Sequence, residues 1–535
     1  MLRNFFSTHR IVITPLSPVH IGTGEDFEPT NYVIDVARHL LYGINPAQAV
    51  LTPEELRQLR NAVNSGTLSA INKFYSDHLE SYRTCADCIV PISDTGLSYH
   101  RKMLAPKGKE KMTQFIIART SYDRRHGIAA PYVPGSSIKG TIATALMNRL
   151  NARKPSLAES AKSPAKFEQT LFGGSFERSP MRFIKVGDCH SGEATPLTNI
   201  FSSRRFFKAD GSGDGVKACF EAIVPGQYRC FEGEMTLAGG MNVCDNPVPH
   251  VYTTAEALLK DLHTYSLENW YTEFSLYRND AAPWAQSVKK LLEALSPQIR
   301  AGHIALVRLG KNAGAENKTL HGESVPQIQI RHKDKSSELL DHSTTLWLTD
   351  ESPKKVNDKD ISNGLPYGWA LLELDPTEEN KFLKSWCTQE CRRSGFDQTS
   401  LSIVDEWKVI RALRLEAEKK QRALIEAQQL RDERRRKEQE EEQSRAEHLA
   451  SLSPEARAIE EFCQALEKVP GAVKPGTDLF NKTRAFLTEA TAWPNSTDKM
   501  NLAKRIAPIL KAKQMYQGKA EKEFKGNLRK LRGEA

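Results

Sequence analysis

The sequence predicts an α+β body reaching to about residue 375 and an all-α extension beyond it. Three observations carry the prediction. Short β-branched or apolar runs bounded by turn residues recur along the body. The helical patterns between them are few and irregularly spaced, which favours ferredoxin-like units over a doubly wound parallel sheet. From about Glu378 the character changes, and Arg411–His448 holds nearly balanced charge with no Gly or Pro. No solenoid-type repeat is present.

The elements follow in order. Arg10–Leu16 (RIVITPL) is a strand stopped by a proline, and Asn31–Val36 (NYVIDV) is the second strand. In Asn45–Ser65, Thr52 can cap, Pro53 suits a first turn and Glu55 completes a capping-box spacing. Lys102–Lys111 is a basic, turn-rich loop. Phe115–Thr120 (FIIART) is a strand, and Tyr132–Leu150 is a turn running into a helix. Phe183–Asp188 (FIKVGD) is a strand, and Asp210–Gly215 (DGSGDG) is a loop. Alternation around Cys219–Leu237 predicts a hairpin. Thr254–Leu295 is mostly helical with an interruption near Pro283. His303–Gly310 is a buried strand opening a Gly-containing loop, and Tyr367–Leu374 is the last strand.

In the extension, Leu413, Leu415, Leu424, Ile425 and Leu430 are apolar, but Arg431–His448 offers almost no apolar seam. A single solvated helix held by i,i+4 pairs is therefore expected, not a coiled coil. Ser453–Ala535 reads as a small helical module, with Ser453 as a cap, Pro454 in the first turn, then Thr477–Ala490, Ser496–Gln517 and a basic end.

With 535 residues, 39% hydrophobic and 26% charged, the chain can bury several cores, and a wholly disordered chain is excluded. No run of about 18 apolar residues exists, so no membrane span is expected. The N-terminus lacks the pattern of a secretory signal, which leads to an expected cytoplasmic location. Nine cysteines, an odd number at low density, favour reduced thiols over a disulfide framework. The net charge of +9 sits mainly in residues 499–535, which carry +8. A nucleic-acid reading of the body must therefore rest on local clusters.

Three segments could carry chemistry. Ser17–Gly24 (SPVHIGTG) follows a strand. Gly22 and Gly24 let backbone approach a ligand, and His20 suits stacking on a base or donation to phosphate; the plainer reading is a tight turn with a structural histidine. Val133–Thr141 (VPGSSIKGT) opens a helix. Its N–H groups with Ser136, Ser137, Lys139 and Gly140 make an anion site, or a serine merely caps. The Walker A spacing is absent, so polymer phosphate fits better than a nucleoside triphosphate. Arg308–Thr319 (RLGKNAGAENKT) runs from a strand into a basic loop, where Arg308, Gly310, Lys311, Gly314, Lys318 and Thr319 suit phosphate, or a surface turn. The runs Arg119–His126 and Ser203–Lys208 interleave aromatics with Arg, as single-stranded bases or a solvated face would both allow.

Cys85 and Cys88 have the spacing of one zinc half-site, flanked by His78 and His100, and Cys387 with Cys391 makes another candidate pair. Unliganded thiols are the preferred reading, with no metal and no cofactor. Neither G-x-S-x-G nor H-E-x-x-H occurs, and nothing in the sequence demands an enzyme.

Taken together, SPVHIGTG, VPGSSIKGTIATAL, FIKVGDCHSG, RLGKNAGAENKTL and LPYGWALLEL occur in the order seen in the CRISPR-associated RAMP proteins. Residues 10–375 resemble that family, and within it the type III-A (Csm complex) subunit that caps the 3′ end of the guide RNA. The glycine-rich loop departs from the family's denser glycine pattern at Ala313 and Ala315. The resemblance implies RRM-like RAMP units with inserted subdomains. They would be an N-terminal unit over 1–215 and a second part over 216–377. A linker with the charged helix (378–450) and a basic helical module (451–535) lie outside the resemblance. It also implies an antiviral ribonucleoprotein role: guide RNA (crRNA) binding through the three loops, contact with the repeated backbone RAMP subunit and other effector subunits, and help in crRNA maturation. Target RNA and host nucleases are further candidate partners, and no membrane is implied. Asp188 would be structural. A non-catalytic role is expected. The alternative is a metal-independent endoribonuclease acting on guide precursor with His20 as general base.

Overall fold

The computed structural model describes residues 6–104, 116–125, 128–153, 164–192, 194–209, 211–239, 242–243, 246–277, 281–322, 328–331, 336–350, 364–516 and 519–534. The predicted basic loop Lys102–Lys111 lies outside these from residue 105 onward. The chain divides into two compact units, Met1–Lys419 and Lys420–Ala535.

The first unit is built around a five-stranded antiparallel sheet. Its spatial order is Ile304–Arg308, Trp369–Leu374, Phe6–Pro15, Phe231–Ala238, Ile184–Val186. Taken in chain order without Ile304–Arg308, this is the 4-1-3-2 arrangement of a ferredoxin-like βαββαβ unit. The helices Gly135–Arg153 and Ala255–Phe274 supply the two crossovers. Ile304–Arg308 adds an outer strand beside Trp369–Leu374. Both of these strands are buried along their whole length because helices cover both faces of the sheet. On one face Ile11, Ile13, Val307 and Leu372 meet Ile138, Ile142 and Leu146 of one crossover and Leu258 and Leu262 of the other. On the opposite face Ile304, Leu306, Trp369 and Leu371 meet Trp284 and Val288 of helix Ala281–Ala294 and Leu383 and Trp386 of helix Lys381–Ser394.

Insertions into this unit build a second sheet, ordered Thr345–Thr349, Thr198–Phe207, Gly213–Ile223, Ile117–Thr120, Gly22–Phe27. Gly213–Ile223 and Ile117–Thr120 run parallel, and the other neighbours are antiparallel. This corrects the hairpin expected around Cys219–Leu237. Gly213–Ile223 instead forms its hairpin with Thr198–Phe207, while Phe231–Ala238 pairs with Phe6–Pro15 in the first sheet. Alternation marks a strand without naming its neighbour. The link between them is anchored to the first sheet: Gly226 N–H donates to the Pro15 carbonyl (2.9 Å), and the Arg229 guanidinium holds both oxygens of Glu373 at 2.8 Å.

A third sheet, Tyr32–Asp35, Leu40–Ile44 and Ala86–Pro91, packs against the short helices between residues 53 and 83. The capping box forms as predicted: Thr52 N–H donates to Glu55 (2.6 Å) and Glu55 N–H to Thr52 Oγ1 (3.3 Å). The long helix, Phe396–Ser451, starts on this sheet. Ile403, Trp407 and Ile410 join its core, and Glu406 accepts from Tyr42 (3.0 Å) and from the Arg83 guanidinium.

In the second unit the helix is almost wholly solvated and carries i,i+4 pairs such as Arg436–Glu440 (2.9 Å) and Lys437–Glu433 (3.2 Å). The helices Pro454–Lys468, Asp478–Ala490, Ser496–Ala512 and Lys519–Arg532 enclose a separate core including Cys463, Phe480, Leu487, Ile506 and Phe524. Ser453 caps the first, accepting from Ala456 N–H at 3.1 Å. Among the described residues no helix is long and apolar enough to cross a membrane.

Arg83 and Glu406 are both buried, and although Arg83 also pairs with the exposed Glu80, losing Glu406 removes its buried carboxylate partner. Glu406→Ala should lower the unfolding free energy of the first unit by about 3 kcal/mol. Arg83→Leu/Glu406→Leu together should cost less than the sum of the two single changes in urea titrations read by fluorescence.

Candidate nucleic-acid interface

The three sequence segments converge. Lys311 N–H donates to the His20 carbonyl at 2.8 Å, which locks the glycine-bearing loop onto the N-terminal one. Gly310 makes this contact possible. Its φ is +83°, and a Cβ there would lie 2.2 Å from the His20 carbonyl oxygen. The family-like segment around Gly368 joins the same block. Gly368 N–H donates to the Pro18 carbonyl, and Leu309 N–H donates to the Gly368 carbonyl, both at 2.8 Å. The helix-opening segment connects from the other side. Ser121 N–H donates to the Ile21 carbonyl (2.6 Å) and Tyr132 N–H to the Ser121 carbonyl (3.1 Å). Thr141 Oγ1 reaches the Arg308 carbonyl at 3.5 Å.

Two predicted contact residues lie inside this block and not on it. His20 is fully buried. Its Nδ1 donates to the Glu221 carbonyl (2.7 Å), its ring packs 5.3 Å from that of Phe220, and Nε2 has no hydrogen-bond partner among the described residues. Burial pulls the imidazole down to about 4; the carbonyl hydrogen bond opposes this and Lys311 adds to it. The expected stacking on a base is not available to this ring, which braces the loop from beneath. Arg308 is likewise buried. Its guanidinium forms a two-pronged pair with Glu273, donates through Nε to the Tyr367 carbonyl (2.9 Å), and lies 4.7 Å from the centre of the Trp369 ring. The expected phosphate contact through Arg308 is thereby excluded in this structure.

The remaining predicted residues line the outer side or its edge. Gly22 and Gly24 sit in the exposed stretch of strand Gly22–Phe27. Ser136 and Gly140 are exposed on the first turns of helix Gly135–Arg153, with Ser137 and Lys139 half-buried. Burial lowers the Lys139 ammonium below its usual range. Asp188 lies just beyond strand Ile184–Val186, and its carboxylate accepts the Gly135 N–H at 2.8 Å. The chain's own acid thus takes up part of the anion-binding capacity of this helix end. Lys311 is exposed with its Nζ 5.7 Å from the centre of the Phe220 ring, and Lys318 is exposed without a carboxylate partner among the described residues. Gly314 and Thr319 are half-buried. The Glu316 and Thr319 carbonyls both accept from Tyr265 (3.0 and 2.7 Å), tying down the far end of the loop.

The basic runs are mostly engaged internally. Arg119 is sandwiched between the rings of Phe27 (4.3 Å) and Tyr122 (3.9 Å), with Glu221 at 3.8 Å. Arg204 pairs with Asp350 and Lys208 with Glu316 (2.6 Å). His126 falls outside the described residues. Sequence reasoning missed Phe220 and Glu221 as parts of the block; the alternation in ACFEAIV was the available signal for both. The two cysteine pairs are not brought together: Cys85 and Cys88 line cores around the third sheet, whereas Cys387 lies in the tryptophan-rich core.

Two consequences can be measured. Gly310→Ala should destabilise the first unit by at least about 2 kcal/mol, from the left-handed backbone plus the carbonyl clash. Gly140→Ala, a helical site with nothing within 4 Å, should stabilise it by up to about 1 kcal/mol. The second concerns pH. Between about 4 and about 6.5 the unfolded chain binds more protons at His20 than the folded chain. This part of the stability is therefore complete above about 6.5 and lost as pH falls towards 4, at up to about 1.4 kcal/mol per unit. The stability gap between wild type and His20→Gln should narrow on acidification in urea titrations, and a constant gap would refute this assignment.

Residues 12–217 match the RAMP superfamily. The CRISPR system protein Csm5 of Streptococcus thermophilus is 26% identical over 156 residues, which is 28% of this chain and 40% of that protein. The match thus spans well under two thirds of its relative. Among solved structures, a chain of a Csm–crRNA–target RNA ternary complex from a type III-A CRISPR–Cas system is 16% identical. It aligns over 69% of this chain and 100% of its own with a TM-score of 0.36. Csm5 of T. onnurineus is 14% identical over 68% of this chain and 99% of its own, with a TM-score of 0.31. Residues 12–217 thus carry a match to the RAMP superfamily, and part of the chain is similar to the CRISPR system protein Csm5.

Proposed function

We propose that this chain is a guide-RNA-binding subunit of a type III-A CRISPR effector complex. In this reading it caps the 3′-end side of the guide, contacts the repeated backbone RAMP subunit and assists crRNA maturation without cutting RNA itself. The observation that carries the reading is the hydrogen-bonded block of three distant loops. It leaves Gly22, Gly24, Ser136, Gly140, Lys311 and Lys318 accessible while burying His20 and Arg308. Exposed backbone and isolated lysines suit phosphates, and a cap that accepts any spacer needs contacts of that kind and not base-edge readout.

Gly140 supports the same conclusion. It lies inside a helix, where glycine costs about 1 kcal/mol relative to alanine, and no neighbour excludes a side chain. A phosphate approaching the first turns of the helix gives the missing reason for a glycine there. The nuclease alternative loses its general base, because a fully buried imidazole bonded to the Glu221 carbonyl cannot meet a ribose hydroxyl. With the body close to neutral, affinity would come from a groove shared with other subunits. Target RNA and a trimming nuclease belong to this reading as further partners.

RNA co-purifying with the tagged protein, from cells carrying the matching CRISPR locus, should have repeat-derived 5′ ends and 3′ ends inside the spacer. Lys311→Gln/Lys318→Gln should reduce that RNA about tenfold per protein without loss of fold. Gly140→Ala should also reduce it while raising thermal stability. Random cellular RNA on the wild type, or full guide occupancy in all variants, would sink the reading.

A further inference from the structure

The second unit carries a feature that the body's loops do not explain. Its last two helices hold most of the chain's net charge, with residues 499–535 at +8. Part of that charge is neutralised locally: Arg505 pairs with Glu460, Lys525 with Glu521 (2.7 Å), and Glu523 with Arg484 (3.3 Å). Lys504, Lys511, Lys522, Arg529, Lys530 and Arg532 are exposed and have no carboxylate partner among the described residues.

The arrangement on helix Lys519–Arg532 is directional. Phe524, Leu528 and Leu531 face the module's core. Lys522, Lys525, Arg529 and Arg532, spaced three, four and three residues apart, form a stripe on another side of the helix, about 15 Å long. Burial pushes the half-buried Tyr516 hydroxyl up, and the fields of Arg532 and Lys525 oppose that shift, which puts an aromatic residue within reach of the stripe's charge.

We infer that this face of the C-terminal module is a second, sequence-independent binding surface for single-stranded RNA, separate from the loops of the body. The composition of the surface selects the occupant. Among the described residues of 454–534 no large hydrophobic side chain is exposed. An interfacial membrane helix needs an apolar face to insert, and a protein interface needs buried aromatic or aliphatic anchors. A phosphate backbone needs neither, only unpaired cations at helical spacing. The surface does not depend on the reading of the body's loops, and its test separates the two.

The test uses the full chain and a fluorescent oligouridine RNA of about 30 nucleotides, titrated at salt from about 50 to about 300 mM. Lys522→Gln/Arg529→Gln/Arg532→Gln should weaken binding about tenfold at the low-salt end. It should also flatten the slope of log affinity against log salt by about 2, as expected for three lost phosphate contacts on a single strand. Lys311→Gln/Lys318→Gln serves as the companion. If the triple variant weakens while the companion does not, the surface stands on its own, the loop reading being tested by the co-purified guide; if only the companion weakens, the surface is refuted. Unchanged affinity and slope in the triple variant overturn the proposal, as does a defect confined to anionic phospholipid vesicles. Because all three side chains are exposed and lack carboxylate partners, an unchanged melting temperature verifies that the variant is folded.

Discussion

The approach of Gly310 to the carbonyl of His20 is the contact on which the surface of the body depends. A single carbonyl oxygen receives the Lys311 N–H, and a side chain at residue 310 would occupy the same space. That contact sets where the basic loop can run. Gly368, bonded to Pro18 and Leu309, then ties the last strand of the sheet to both loops. The imidazole below acts as a fixed support. Its Nδ1–H on the Glu221 carbonyl settles the tautomer, and the Phe220 ring fills the space beside it. The loops are thus held by the backbones of three separate strand ends, an arrangement that leaves their outer side chains free for other work.

The same economy governs charge. Much of the arginine in the body is consumed internally. Arg83 meets Glu406, Arg119 lies near Glu221, Arg204 meets Asp350, Arg229 meets Glu373 and Arg308 meets Glu273. Each pair trades desolvation against a close, hydrogen-bonded geometry, so each is better read as specifying one arrangement than as adding stability. It follows that counting basic residues says little about where an anion would settle on this protein. What matters is which cations lack an acid, and in the body these include Lys311 and Lys318 on the glycine-bearing loop.

Local features were legible in the sequence, and relations between distant segments were not. The capping box at Thr52 and Glu55, the cap at Ser453 with Pro454, and the strands ending at Pro15 and Leu374 are decided by neighbours a few residues away. The order of five motifs pointed to the RAMP resemblance, and residues 12–217 match that superfamily. The fate of His20 was not, because its burial is set by Phe220 and Glu221, some 200 residues later. Arg308 reads as an exposed loop cation until Glu273, 35 residues earlier on a helix, is seen to face it. The hairpin misassignment has the same origin: periodicity reports that a strand has two faces, not which strand lies beside it. The apolar positions of helix Lys381–Ser394, where Leu383, Trp386 and Cys387 are buried, were masked by the charged composition around them.

The solvated part of the long helix has a consequence of another kind. Its exposed pairs, Arg436–Glu440 and Lys437–Glu433, are each worth only a few tenths of a kcal/mol, and no apolar core backs them. Its amides therefore open by fraying and local melting at a cost far below that of the enclosed helices after it, where Phe480, Leu487 and Ile506 are sealed. Such a stretch exchanges its amide hydrogens early and presents Arg434, Arg435, Arg436 and Lys437 to any trypsin-like protease. A first cut there would release the C-terminal module with its own core intact.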